Sequence, residues 1–547
     1  MELFCQVIVD LLAILLISRI LQISRIVLWR LYTVTKSFRK QGIIGPRYML
    51  VSSSLKEMKK MKNDALKIVL DTHSNDITDR VVPYYNKWSS QYGETFMYWH
   101  GMEPKIYISD LELAKQILSN KFGFYPKPQL SSSVETLIGK GLVLLNGQDW
   151  ARHKKIINYA FNVDKLEVIV SKMATLIISI LEKWENHATT FEDQCTTMEM
   201  KGEFKRLTYD IIARAGFGIS YIEGREIFKV AELEEFCASK ADVFIPGSRY
   251  LPTPSNIRMW KLDRMMKNTI RNIIESRLKA EATGSPDGYG GDLLGVMCRS
   301  LTMVQSRSDP KLNMSELIEE CKTFLFGGST TAYLLTWAVF LLCIYPEWQS
   351  KLGEEVLKEF GEGIPNADML AKLKLVNMVL LEALRLYGPS MEMQRKVSTD
   401  MKLGNITIPK DTCILIPTLI IHRNKTYWGE DADEFNPLRF ANGISQAAKH
   451  PHALFVFGAG QRVCIGQTFA MVEAKMIIAL MLQRFSLSLS YKYKHSPVYS
   501  AVLQPQFGLP KIFALVCTSS IAEISGLYIY IYMVGPLSLI LLFVRLY

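Results

Sequence analysis

Apolar residues gather at the two ends of the chain and in a few internal runs with helical spacing. The N-terminus reads LFCQVIVDLLAILLISRILQISRIVLW, strongly apolar but interrupted by the charged Asp10, Arg19 and Arg25. A spanning helix needs about 20 apolar residues. Residues 3–18 approach this with one central acid. No small-residue cleavage site is evident, so the segment reads as a retained anchor, not a cleaved signal. Arg25, Arg30, Lys36, Arg39 and Lys40 follow, a cluster that the positive-inside rule keeps cytosolic. QGIIGPRY then supplies Gly and Pro as a hinge. The expected divisions are an anchor at 1–32, a hinge at 33–50, one large domain at 51–513 and an atypical tail at 514–547.

Three internal patterns matter. MVEAKMIIALMLQRF (471–485) has apolar residues at helical spacing, directly after the loop FGAGQRVCIG (457–466). Glu382 and Arg385 lie at i,i+3 among Val379, Leu380, Leu381, Leu384 and Leu386. They share one helix face, and that company predicts a buried pair in need of further partners. EATGSPDGYGGD (281–292) reads as a surface loop between helices. The segment 524–547 is almost wholly apolar but carries Gly535 and Pro536 at its middle. A second membrane segment and an appendage outside the working domain both remain open.

Composition narrows the class. With 547 residues, 49% of them apolar, the chain can bury a large core. No linker, repeat or low-complexity tract divides it. The net charge of +11 is dispersed, without the arginine-rich runs or zinc-finger spacing of a nucleic-acid binder. It suits an anionic membrane face, an acidic partner or an anionic cofactor. The nine cysteines are scattered and never in C-x-x-C spacing. That excludes a disulfide framework and a structural zinc site, and fits a reducing compartment.

The chemistry concentrates at Cys464. A chance match to F-G-x-G-x-R-x-C-x-G is expected about once in a hundred thousand chains of this length. A cysteine just before a helix meets free N–H groups and partial positive charge, which favour a thiolate. Gly460 and Gly466 permit a tight turn and the approach of a flat ligand. Phe457 is placed to shield the sulfur, and Arg462 to meet an anion. Thiolate, flat face and carboxylate-binding arginine together suit haem.

The loop resembles the haem signature of the cytochrome P-450 family at every fixed position, and three further motifs agree in order. LLEALRLYGP and FNPLRF resemble the family's E-x-x-R helix and P-x-R-F element, which implies a structural triad of Glu382, Arg385 and Arg439. DWARHKK resembles its W-x-x-x-R helix, giving Trp150 and Lys154 as propionate contacts, with Lys in place of Arg. Arg395 in EMQRK resembles another such contact. ECKTFLFGGSTTAYLLTW (320–337) resembles the helix crossing the distal haem face. The family core [A/G]-G-x-[D/E]-T-T is one residue short here, with Ser329 in the acid's place before Thr330.

The resemblance covers roughly residues 45–513 and is closest to the plant clan of secologanin-synthase-like and cytokinin-hydroxylase-like enzymes. It implies a mostly helical P-450 fold with small β-sheets and an N-terminal anchor. It implies a monomeric monooxygenase on the cytosolic face of the endoplasmic reticulum membrane. Such an enzyme inserts one oxygen atom from O2 into a hydrophobic hormone, terpenoid or fatty acid. NADPH would supply electrons through a reductase, since no G-x-G-x-x-G unit is present. The loops near 126–145, 210–222 and 240–250 would line the substrate pocket. The missing acid keeps two alternatives in view: an O2-independent isomerase or dehydratase, and an impaired or haem-free binding protein.

Overall fold

In a computed structural model the structure describes residues 2–47, 53–161, 163–189, 195–218, 250–284, 288–302 and 311–515. The core is organised by one helix, Met314–Ile344. It begins with a reciprocal cap: Glu316 N donates to Asn313 Oδ1 at 2.9 Å, and Asn313 N donates to Glu316 Oε2 at 2.8 Å. Its sequence is apolar on nearly every face, the mark of a helix surrounded by protein. Among the described residues it is the one helix long and apolar enough to cross a membrane, but 72% of its apolar window is buried inside the protein.

Helices Lys374–Tyr387 and Gln467–Leu482 pack against this central helix. Trp337 stacks on Tyr387 with ring centroids 4.5 Å apart, and its indole N–H donates to Leu503 O at 3.2 Å. The Pro254–Ala282 and Leu293–Thr302 helices flank the 281–292 segment, which therefore does separate two helices.

The strands are short. The largest sheet has the order β1 (Thr95–His100), β2 (Glu103–Ile108), β7 (Cys413–Ile416), β4 (Met393–Lys396). β2 and β7 run parallel, and the other neighbours are antiparallel. β3 (Cys195–Glu199), β11 (Pro510–Leu515) and β8 (Phe485–Leu489) form a second sheet. β5 (Met401–Leu403) pairs with β6 (Ile406–Ile408), and β9 (Pro497–Tyr499) with β10 (Leu503–Pro505). Helices dominate and the sheets are peripheral, as the sequence led us to expect.

Two expected boundaries move. The N-terminal helix is continuous over Glu2–Arg39, so the hinge does not begin at 33. Val34, Phe38 and Ile43 are buried in a cluster with Met97, Trp99, Ile106 and Ile408. Trp99 Nε1 donates to Thr35 Oγ1 at 3.3 Å. Burial of one helix face against β1 and β2 keeps the segment helical where the sequence turns polar. At the other end the boundary at 513 falls inside β11, which pairs with β3 through Ala514 and with β8 through Leu515. Residues 516–547, and so nearly all of the apolar tail, lie outside the described residues.

Candidate functional site

The cysteine loop is closed by its own backbone. Cys464 N donates to Phe457 O at 2.8 Å, Gly458 N to Phe455 O at 2.8 Å and Val463 N to Gly460 O at 3.2 Å. Phe457 packs on the main core. Gly466 is the N-cap of the Gln467–Leu482 helix, so Cys464 stands two residues ahead of it. Cys464 is the one exposed cysteine among those described. Desolvation raises the Cys464 thiol pKa, and the opposing Gly466 N–H offsets only part of that. A bound metal ion deprotonates such a thiol outright.

The two glycines differ in role. Gly460 has φ +67°, and a Cβ there would collide with the Leu118 carbonyl oxygen. The close approach it permits is to protein backbone. Gly466 has an ordinary φ of −87°, and a Cβ would make only a 4.0 Å contact with Cys464 Sγ.

Around the loop lies a group of cations. Arg462 Nη2 donates to Asn146 Oδ1 at 3.0 Å, its guanidinium lies 4.4 Å from the Trp150 ring centroid, and Nη1 is buried without a hydrogen-bond partner. Arg395, on β4, is 4% exposed, and Nη1 donates to Gln394 O at 2.9 Å. Burial pulls the Arg395 pKa down to about 10. Burial and the charge of Arg395 do the same to Arg462. Lys154 takes another course. Its Nζ donates to Gln461 O at 2.7 Å and sits 4.9 Å from the Trp150 ring centroid.

No carboxylate pairs with Arg395 or Arg462 among the described residues. Desolvated cations without counter-ions are costly, so the donor set calls for an anionic ligand beside Cys464. A flat ligand carrying two carboxylates and an iron for the sulfur meets each requirement, and haem is such a ligand.

Behind the loop, the predicted triad forms. Arg385 Nε donates to Glu382 Oε2 at 2.7 Å and Nη2 to Oε1 at 2.8 Å, with both side chains fully buried. The remaining Arg385 donors reach His422 O at 2.8 Å, Ala432 O at 2.6 Å and Glu434 O at 3.2 Å. All five guanidinium N–H groups are satisfied. Arg439 joins through Nε at 3.4 Å from Glu382 Oε1, although its stronger pairing is with Asp431, at 2.6 Å. Asn436 N donates to Glu382 Oε1 at 3.0 Å.

On the central helix the two proposed catalytic hydroxyls part company. Ser329 is fully buried and donates to Phe326 O at 2.7 Å. Thr330 is half-buried and donates to Gly327 O at 2.6 Å. The helix is unbroken through GGSTT. Gly328 meets the π-helical turn Ile212–Gly216, and a Cβ there would lie 3.0 Å from Ile212 Cβ. Of the proposed pocket segments, 219–222 and 240–249 lie outside the described residues. Near 126–145 the structure holds a groove of about 290 Å³, lined in part by the ion network of Asp263, Lys267, Glu319 and Lys322.

Several neighbours carry no sequence motif. Lys127 lies near Arg395 and Arg462; burial and then those two charges pull it down to about 7. Asn146 holds the N-cap position of the Gly147–Ala160 helix but makes no capping bond; an N-cap Asn ahead of GQDW is the one sequence hint to it. His153 Nδ1 lies 2.6 Å from Glu320 Oε1, both buried, tying the Trp150 helix to the central one. Glu473, on the helix after the loop, is fully buried, and burial pushes it up to about 8.

Comparison with known proteins agrees with this geometry. The family model described as "Cytochrome P450" matches residues 66–511. The chain is 47% identical over 500 residues to Cytochrome P450 709B1 of Arabidopsis thaliana, covering 90% of this chain and 95% of that protein. It is 36% identical over 499 residues to secologanin synthase 2 of Catharanthus roseus, with coverages of 89% and 94%. A solved cyanobacterial structure, "Retinoic acid bound cyanobacterial CYP120A1", superposes with a TM-score of 0.69 at 22% identity, covering 80% of this chain and 94% of that one. With Cys464 in an intact signature loop, a buried Glu382–Arg385 pair behind it and plant relatives along most of its length, the chain belongs to the cytochrome P-450 family of monooxygenases.

Proposed function

We propose that the protein is a haem-thiolate monooxygenase of hydrophobic small molecules, of the hormone, terpenoid or fatty-acid kind. One observation carries this reading: the buried Arg395 and the half-buried Arg462, whose Nη1 is enclosed without a partner, have no carboxylate partner among the described residues and stand beside a cysteine in a loop of the haem-signature type. Cys464 would ligate the iron, and Arg395 and Arg462 would hold the haem carboxylates, with Trp150 packed against Arg462. When bound, haem supplies O2 activation at its iron, and NADPH supplies electrons through a separate reductase.

The chain's own residues then have separate duties. The Cys464 loop fixes the sulfur through its backbone bonds, and Phe457 closes one side of it. The Glu382–Arg385 pair keeps the wall behind the loop rigid. Thr330 is the accessible hydroxyl on the central helix and would hold a proton near the reacting oxygen. Ser329, closed into the helix, would take no part. Family membership does not favour the isomerase or dehydratase alternative, and the uncompensated cations disfavour a haem-free one.

Residues 1–32 would anchor the protein in the endoplasmic reticulum membrane. The helix exposes Ile14, Leu15, Ile17, Leu28 and Trp29, and Arg30, Lys36 and Arg39 follow on the side that stays cytosolic. The domain facing the cytosol would work as a monomer and meet the reductase there.

The test is the absorption spectrum of the reduced, carbon monoxide-bound protein. The wild type should show the red-shifted Soret band of thiolate ligation, and Cys464→Ser should lose it. A wild type without bound haem would end the proposal.

A further inference from the structure

The central helix is closed off along nearly all of its middle. From Leu317 to Leu342 every residue is buried except Glu319, Phe326, Gly327 and Thr330. At 3.6 residues per turn these four fall within roughly 100° of one face. Glu319 and Thr330 are eleven residues apart on an unbroken helix, which sets them about 16 Å apart along its axis. This open stripe joins the groove near 126–145 to the accessible hydroxyl of the proposed site.

The groove, of about 290 Å³, has a charged floor to which Glu319 belongs. Lys267 Nζ reaches Glu319 Oε1 at 2.8 Å and Asp263 Oδ2 at 3.0 Å, and Lys322 Nζ reaches Asp263 Oδ1 at 2.5 Å. Two ammonium groups and two carboxylates thus neutralise one another. Trp260, 40% exposed, and Tyr250, 71% exposed, line the same groove and offer apolar area with a polar tip. An incoming carboxylate would compete with Asp263 and Glu319 for the same two lysines, and would bring a large desolvation cost of its own. A hydroxyl fits without breaking the quartet. It donates to a spare carboxylate lone pair and accepts an ammonium N–H, both as charge-assisted hydrogen bonds.

We propose that this groove takes the neutral, hydroxyl-rich head of an elongated substrate, whose apolar skeleton lies along the Phe326–Gly327 stripe and presents a carbon about 16 Å from the head to the site near Thr330. This rests on the monooxygenase reading above and narrows it. The substrate class is an amphipathic molecule with a sugar-like or polyhydroxy head, and a free fatty acid is disfavoured.

The experiment gives the holoenzyme two probes with one tail and different heads, dodecyl β-glucoside and dodecanoate, both below their micellar concentrations. Their extended tail spans about the distance from Glu319 to Thr330. The first readout is the ligand-induced Soret shift of the ferric protein, taken as an apparent Kd. The second is the position of hydroxylation by mass spectrometry, with reductase and NADPH supplied. Wild type should bind the glucoside about tenfold more tightly or better, and hydroxylate it near the free end of the tail. Trp260→Ala should weaken glucoside binding far more than dodecanoate binding. Glu319→Gln tips the floor toward positive charge, so dodecanoate should tighten while the glucoside weakens. Should Glu319→Gln fail to accumulate, Lys267→Met tips the floor the other way and should weaken dodecanoate further. The proposal is overturned if wild type binds the two probes equally, prefers dodecanoate or gives no shift with the glucoside. It is overturned equally if the glucoside is hydroxylated beside its head, or if the wild-type preference persists unchanged in Trp260→Ala and in the floor variant. A wild type lacking the thiolate-type spectrum would instead defeat the haem reading itself, so the two failures are distinct.

Discussion

Replacing Glu382 by alanine removes the only carboxylate that pairs with Arg385 among the described residues. Four hydrogen bonds go with it: two from Arg385, one from Asn436 N and the longer one from Arg439 Nε. Arg385 keeps three backbone carbonyls but no counter-charge, in a place where its side chain has no exposed surface. Breaking a buried pair from one side costs roughly 3–5 kcal/mol. The orphaned Asn436 N–H places this case toward the upper end. Arg439 adds little, because Asp431 still holds it. A domain's whole stability is about 5–15 kcal/mol, so the expected outcome is a large drop in the denaturation midpoint and poor haem incorporation. Arg385→Lys should lose much of the same stability, because an ammonium cannot reproduce five planar donors. The double replacement Glu382→Leu/Arg385→Met should recover part of the loss, since no charge is then stranded. The assay is denaturant unfolding of each holoprotein with haem content per chain. A Glu382→Ala protein with wild-type midpoint and haem content would refute the reasoning.

Gly460→Ala combines a left-handed φ with a collision at the Leu118 carbonyl, so it should cost about 1–2 kcal/mol from backbone strain alone and displace the loop, read as reduced thiolate-type absorbance; Gly466→Ala should be far milder. Truncation after residue 32 should yield a folded domain, whereas truncation after residue 44 also removes the buried Val34, Phe38 and Ile43, at roughly 1.5–3 kcal/mol for each side chain, visible as a lower melting temperature. Burial raises the Glu473 pKa from 4.5 to about 8, so the folded state keeps a proton that the unfolded state releases. The stability from this group is complete below pH 4.5 and lost as pH rises through about 8, and melting curves of Glu473→Gln should lack that decline. Thr330→Ala should lower product formed per NADPH oxidised, whereas Ser329→Ala, which loses only a bond to its own helix, should not.

Local spacing made the most local features legible. The Cys464 loop closes through bonds within ten residues, so its pattern survives as a motif. Glu382 and Arg385 are one helical turn apart among apolar neighbours, and that alone implied their burial. Lys154 shows where such reasoning stops. Its position in the helix was readable, but its partner is a carbonyl 307 residues away, and a long cation takes whichever acceptor the fold brings near. The 126–127 segment carries no motif, and only backbone contacts to Asn146 and Lys396, which no periodicity encodes, bring it beside the site. The reason for Gly460 was also hidden, since Leu118 approaches from another part of the chain. The misplaced hinge has the same cause: the polar residues after 32 stay helical because Val34 and Phe38 bury against β1 and β2.

That docked helix has a mechanical consequence. At 1.5 Å per residue, the 38 residues of Glu2–Arg39 make a rod about 57 Å long, nearly twice the roughly 30 Å of a bilayer's hydrocarbon core. Its last turns are clamped to the domain by Val34, Phe38 and the Trp99–Thr35 bond. A flexible tether would let the domain tumble above a surface. With residues 1–32 as the proposed anchor, a clamped rod would pass its own tilt to everything it carries, and the attitude of the domain toward the membrane would follow from helix geometry. Two glycines inserted between Tyr32 and Val34 would uncouple the two, leaving attachment intact while freeing orientation.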